Sequence, residues 1–309
     1  MKTILVPTDF SECANNALKF AAFLAKKTGA SINLLHVLEV PSIGTQGSIE
    51  FTVDDVPYMM GLLKATKAKM KRTLSYHFMK DINVVQNIET GAICDHILKA
   101  ADKYNADLIV MGTHGANGLE EVLIGSNAEK VSCDAKIPVL TIKDEIKDPK
   151  LEKIVYATDF SEESKLVFPE LEHFADLLGA KIELVKIITR SEFESTTKTQ
   201  RAMKRFRKMF KQSGHKTSVY NDYNKQSGIR NFARSVNADI IAIDIHGRHG
   251  IANFFSRSLT KDIVNHSSLP VLTLNVQENQ SEKDRVVKSG KKYGADLGQM
   301  YFSTQIPAI

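Results

Sequence analysis

The chain has 309 residues, enough for two domains of ordinary size. Its hydrophobic fraction of 43% and charged fraction of 25% are those of globular chains, and no apolar run nears the ~18–20 residues that span a bilayer. A net charge of +5 is too mild to call for nucleic acid or a membrane surface as partner, and three scattered cysteines, Cys13, Cys94 and Cys133, suit reduced thiols better than a disulfide framework.

In chain order, short apolar runs alternate with helical patterns. Thr3–Val6, Ser31–Val37, Asn83–Gln86, Leu108–Met111 and Val139–Ile142 read as strands, crowded with Ile, Val and Leu as strands buried on both faces are. Ala14, Leu18, Ala21, Ala22 and Ala25 mark one face of a helix between the first two strands. Ile93, Ile97, Ala100 and Ala101 mark another before Leu108. The alternation predicts a parallel sheet with right-handed crossovers, which binds ligands beyond the carboxyl ends of its strands. At the N-terminus, Pro7, Thr8 and Asp9 interrupt the first apolar run too early for a signal peptide, so a cytoplasmic location is expected.

The chain then repeats itself. "ILVPTDFSE" at 4–12 returns as "IVYATDFSE" at 154–162, and "GASINLLHV" at 29–37 returns as "GAKIELVKI" at 179–187. Further on, "NADLIV" at 105–110 returns as "NADIIA" at 237–242, and "IPVLTI" at 137–142 as "LPVLTL" at 269–274. The offset falls from 150 to 132, so the second copy is 18 residues shorter between its second strand and third helix. In the first copy that region holds the long polar stretch 41–60, of the kind that is functional or disordered. The expected organisation is two α/β domains, each with a five-stranded parallel sheet, over 1–145 and 151–275, and a polar tail over 276–309.

One stretch carries chemistry. In "MGTHGANGLEEVLIGSN" at 111–127, Gly112 follows the fourth strand, Gly115 lies one turn on, and Gly125 and Ser126 precede a helix. A glycine at a strand's carboxyl end lets backbone amides approach an anion with no β-carbon in the way. A helix starting at Ser126, with Glu129 as its capping-box partner, offers amides and a positive dipole end to a phosphate. The nine intervening residues would fold back so that both glycine pairs face one ligand. Glycine spacing alone is a weak signal, and Gly-Ser before a helix is common capping; the strand context strengthens it.

Gly-x2-Gly-x9-Gly-Ser at 112–126 resembles the nucleotide-binding motif of the ATP-binding branch of the universal stress proteins. "ILVPTDFS" and "LLHV" at 34–37 resemble that family's first two strands. The likeness runs over nearly all of 1–143 and, more loosely, 152–275. It implies a Rossmann-like, adenine nucleotide alpha hydrolase-like fold and a stress-response regulator that binds ATP, ADP or AMP, with Mg²⁺ as a companion. By resemblance Pro7, Thr8 and Asp9 would contact adenosine and Val37 the adenine. Gly112, Gly115, Gly125 and Ser126 would hold phosphates, with Met111 and Asn127 in the same set. Read without the family, Asp9 is also a good cap for a helix starting near Ser11, and Val37 a core residue. The family dimerises through its fifth strand, which implies pairing of Val139–Ile142 with Val271–Leu274 inside this chain, or a homodimer.

The second copy departs from the motif. Asp159 and Gly247 persist, but Asp244 stands for Gly112 and Arg257 for Gly125, with Ser258 for Ser126. A carboxylate there repels phosphate, so the second copy is expected to be a structural partner. Two other readings stay open. One is a slow nucleotide hydrolase or transferase using His114; the other is an interaction module with no nucleotide. His246 and His249 are read as loop residues. The basic segment 201–211, with Met203, Phe206, Met209 and Phe210 as its apolar stripe, is read as a solvated helix that covers the sheet.

Overall fold

The computed structural model describes residues 1–39, 55–114, 125–147, 149, 151–210, 214–245 and 257–275. The expectations for Gly115, Gly247, His246, His249, most of 41–60 and the 276–309 tail lie outside these residues. In the first half, β1 (Thr3–Pro7), α1 (Glu12–Thr28), β2 (Ser31–Leu38), α2 (Asp55–Leu74), β3 (Val84–Thr90), α3 (Ile93–Lys103), β4 (Leu108–Gly112), α4 (Ser126–Asp134) and β5 (Val139–Ile142) follow in order. The second half runs β6 (Lys153–Ala157), α5 (Glu162–Leu178), β7 (Lys181–Ile188), α6 (Thr196–Met209), β8 (Lys216–Asn221), α7 (Lys225–Ser235), β9 (Ile240–Ile245), α8 (Arg257–His266) and β10 (Val271–Asn275). The third strand starts one residue later and runs four residues further than the pattern suggested. Its far end, Asn87–Thr90, is polar, and only pairing to β2 reveals it.

The strand order is β3-β2-β1-β4-β5-β10-β9-β6-β7-β8. Within each half all pairs are parallel; β5 and β10 join antiparallel, with Leu140 opposite Leu272. The two five-stranded sheets of the expectation are thus joined edge to edge into one sheet of ten strands, through pairing of the two fifth strands within the chain. At the seam two buried hydroxyls repeat one bond: Thr141 Oγ1 donates to the Val271 carbonyl and Thr273 Oγ1 to the Val139 carbonyl, each at 3.2 Å. Because the join is antiparallel, the carboxyl ends of the two halves' strands point to opposite edges of the sheet.

The period of two along each strand divides the core into two layers. Ile4, Val6, Leu34 and Val110 pack beneath α1, while Leu5, Leu35, Ile109 and Met111 pack on the α3 and α4 side. Both layers continue into the second half, through Tyr156 and Phe168 on one side and Ile229 and Ile263 on the other. Among helices, α6 covers the sheet as expected. Phe206 is buried against Phe160, Phe168 and Phe210, but Met209 is 65% exposed and drops out of the apolar stripe.

Candidate functional site

In the first half β1 lies between β2 and β4, so the chain winds in opposite directions on its two sides. A crevice opens at the carboxyl ends of strands at such a point. Beyond β1 the chain makes a tight turn. The Thr8 amide donates to the Leu35 carbonyl at 2.8 Å, Thr8 Oγ1 accepts from the Phe10 amide at 3.0 Å, and Asp9 Oδ1 accepts from the Ser11 amide at 3.0 Å. Phe10 is held at φ 67°, a left-handed conformation that costs a bulky residue about 1–3 kcal/mol. Ser11, not Asp9, caps α1 through its side chain, which leaves Asp9 as the turn-former.

His36, which the sequence analysis passed over, lies just before Val37 on β2. Its Nδ1 sits 2.7 Å from the Thr8 carbonyl. A carbonyl only accepts, so Nδ1 carries the proton. The ring also packs on Phe10 with centroids 4.7 Å apart, and Lys69 of α2 lies over Phe10 at 5.5 Å. The repeat of Thr-Asp-Phe-Ser in both copies was the available signal for this turn.

Gly112 closes β4, as expected. The reason it must be glycine differs from the expectation. A β-carbon there would lie 2.9 Å from the Cys13 carbonyl carbon and Sγ and 3.0 Å from the Ala14 amide nitrogen. The empty space is required for close packing of β4 on the start of α1. Met111 is buried in the core on the α4 side, and Pro7 and Val37 are half-buried at their strand ends.

Beyond Gly112, Thr113 donates its amide to the Ile142 carbonyl and receives the Gly125 amide on its own carbonyl at 2.9 Å. That bond closes the excursion 114–124 and sets the end of β4 beside the start of α4. The capping box expected at Ser126 does not form. Gly125 is the cap residue, Ser126 is already helical and exposed, and no side chain caps this helix end. Glu129 instead pairs with Lys261 of α8 at 2.8 Å. Asn127 turns away from the cradle, its Oδ1 accepting from Cys94 Sγ of α3 at 3.0 Å. His114 bonds Thr113 Oγ1 through Nδ1 at 2.8 Å, and burial, followed by the charge of Lys143, lowers its pKa. The start of α4 thus lies beside the end of β4, at the carboxyl side of the strands where β1 ends in the Asp9 turn, and the first amides of a helix suit a phosphate.

The same place in the second half is built differently. The turn repeats: Thr158 to Leu35's counterpart Val185 at 3.0 Å, Phe160 to Thr158 Oγ1 at 3.0 Å, Ser161 to Asp159 Oδ1 at 2.9 Å, with Phe160 at φ 61°. At the end of β9, however, Asp244 is fully buried and accepts from Ser164 Oγ at 2.5 Å. Ser164 Oγ also lies 3.1 Å from Asp159 Oδ1. Burial, and then the Asp244 charge, push the neighbouring Tyr156 phenol well above its ordinary pKa. Arg257, which stands where the first half has Gly125, reaches across to Asp134 of α4.

The universal stress protein family model matches residues 1–143 and 150–275. The chain belongs to the universal stress protein family. Universal stress protein MJ0531 of Methanocaldococcus jannaschii is 34% identical over 146 residues, which is 46% of this chain and 82% of that protein. Universal stress protein Slr1230 of Synechocystis is 24% identical over 300 residues, 88% of this chain and 99% of its own length. The crystal structure of a universal stress protein from Archaeoglobus fulgidus shares the fold, with TM-score 0.64 at 20% identity, over 89% of this chain and 98% of that one. Two-domain universal stress proteins of this architecture thus include both a curated relative and a solved structure. No helix among the described residues is long and apolar enough to cross a membrane.

Proposed function

We propose that this universal stress protein binds an adenine nucleotide, ATP or its di- or monophosphate, in its first domain, residues 1–145. The observation that carries the reading is the Gly125–Thr113 bond, which brings the uncapped start of α4 to the end of β4 and the Asp9 turn. Phosphates would lie beside Gly112 and Gly125 and take the Ser126 and Asn127 amides at the start of α4, since the Gly125 amide is given to Thr113 and the Thr113 amide to Ile142. Adenosine would lie over Pro7, Thr8, Asp9 and Val37. Mg²⁺ would come with the phosphates, with Asp9 as the nearby carboxylate; among the described residues no three Asp, Glu, His or Cys side chains gather to hold a metal by themselves.

The second domain, residues 151–275, is a structural partner in this reading. Its Asp244 carboxylate occupies the position where the first domain has only backbone, and β10 covers the β5 edge. With that edge used inside the chain, a homodimer would need the β3 or β8 edge. Any turnover is slow. A hydrolase reading has one observation in its favour: the lowered pKa leaves His114 neutral at pH 7 and able to accept a proton. Steady ATP turnover that His114→Ala removes would establish it.

Calorimetry on the full chain tests the binding. One ATP per chain is expected. Gly125→Asp separates binding from folding, because aspartate caps a helix at least as well as glycine and Gly125 has φ −55°, open to any L-residue. Its melting temperature should hold while ATP affinity falls about ten-fold or more from charge repulsion. Unchanged affinity in that variant, or no heat with ATP, ADP or AMP, would defeat the proposal.

A further inference from the structure

The second half is shorter by 18 residues where the first has its 41–60 stretch, and a cleft lies beside that point in the second half. After β7 the chain makes one tight helical turn at Arg190–Glu192 and enters α6 at once. A cavity of about 1070 Å³ opens between this turn, α6 and the edge strand β8, at the upper end of the size of small-molecule sites. Ile188, Met203 and Val219 supply its apolar wall. Two aromatic side chains stand at its mouth, Phe193 from the β7–α6 turn, 84% exposed, and Tyr223 from the β8–α7 turn, 97% exposed. Bare aromatic rings beside an apolar cleft mark a binding surface more often than chance exposure.

The charges around the cleft select the ligand. Its two carboxylates are already engaged. Glu194 is held by Lys186, Lys198 and Thr199; burial opposes its ionisation, but those bonds outweigh it and keep its pKa low. Asp222 accepts from Asn231 Nδ2 at 2.9 Å and from the Tyr223 amide at 2.7 Å. Arg190 lines the same cleft and forms no ion pair among the described residues. Three cations, Lys186, Lys198 and Arg190, stand against two carboxylates, Glu194 and Asp222, which leaves an excess of one positive charge, and Arg190 is the cation that faces the cleft. We propose that this cleft binds a small flat aromatic anion, an aryl carboxylate or sulfonate, between Phe193 and Tyr223 with Arg190 as its counter-ion. The site lies in the second half, away from the crevice at β1 and β4, and does not depend on nucleotide binding there.

The test uses 8-anilinonaphthalene-1-sulfonate on the full-length chain, read by fluorescence. Saturable one-site enhancement is expected, unaffected by excess ATP. Arg190→Gln and Phe193→Ser should each weaken it about ten-fold, the size of one charge-assisted contact. Both residues are exposed, so urea midpoints should stay put. 1-Anilinonaphthalene, with the same rings and no sulfonate, should bind equally to wild type and Arg190→Gln. Lys204→Gln, in the neighbouring cavity under Phe168 and Phe206, should change nothing. Equal binding in all variants, loss only in Lys204→Gln, displacement by ATP, or no enhancement because a second copy or residues 276–309 fill the cleft, would overturn the proposal.

Discussion

The two halves carry the same turn after their first strand and opposite solutions after their fourth. Thr8-Asp9-Phe10-Ser11 and Thr158-Asp159-Phe160-Ser161 match bond for bond, down to the left-handed phenylalanine. The turn persists in the half whose glycine motif is broken, so the fold itself requires it. The difference lies in three layers that changed together. Gly112, Ala14 and Val6 in the first half answer to Asp244, Ser164 and Tyr156 in the second. In one half the strand end is bare and packed on α1; in the other a buried carboxylate fills it and is tied to a serine. Scaffold and cradle are separable parts of this site.

The strongest challenge to that contrast is to write one half into the other. Gly112→Asp sets a β-carbon against the Cys13 and Ala14 backbone and buries a charge, which should cost about 3 kcal/mol or more in urea unfolding. Adding Ala14→Ser should recover part of the loss by supplying the serine. An unchanged urea midpoint for Gly112→Asp would erase the distinction between the halves. The reverse exchange, Asp244→Gly, opens a buried void and leaves the Ser164 hydroxyl only its longer contacts to Asp159 and Ser161, for about 2–3 kcal/mol, and should confer no ATP binding in calorimetry.

Smaller effects test the seam. Lys143 donates to the Asn265 carbonyl of α8 at 3.1 Å, and its counterpart Asn275 donates to the Ser132 carbonyl of α4 at 3.1 Å. Asn275 also reaches the Ala135 carbonyl. Asn275→Ala should cost about 1–2 kcal/mol by denaturant melt, since it strands carbonyls that the amide now serves. Arg257→Ala removes a pair whose members are 49% and 41% exposed, and should cost between zero and about 1 kcal/mol. The mildest effect is a slope. The His114 pKa is lowered by folding, so the unfolded chain takes up its proton first as pH falls. The stability that neutral His114 contributes is present above its unfolded pKa of about 6.5 and is lost as pH drops below it. His114→Gln should flatten stability against pH below about 6.5; an unaltered slope would show that His114 does not contribute it.

Much of this was legible in the residues. Val139–Ile142 is a strand with the expected bounds, and α1 starts where its apolar pattern predicts, although Ser11 caps it and not Asp9, the cap the sequence suggested. Gly112 ends β4 as expected, but the packing reason for a glycine there was not legible, because the atoms that need its missing side chain belong to Cys13 and Ala14, about a hundred residues away in sequence. Ser126 was taken for a cap when Gly125 holds that place; a one-residue shift in the helix start is beyond what spacing resolves. Glu129 looked like a capping partner and is spoken for by Lys261 across the seam. His36 gave no sign of its role, since its partner is a carbonyl on another strand.

The sequence by itself determined the duplication, the alternating α/β elements and the crevice at the strands' carboxyl ends, because periodicity and turn chemistry act over a few residues. Only the tertiary structure decided which residues of β5 face which of β10, why Gly112 tolerates no side chain, and that Asp244 is tied down by Ser164. Each of these rests on contacts between segments some eighty or more residues apart, and no local pattern records which distant atoms will come within 3 Å.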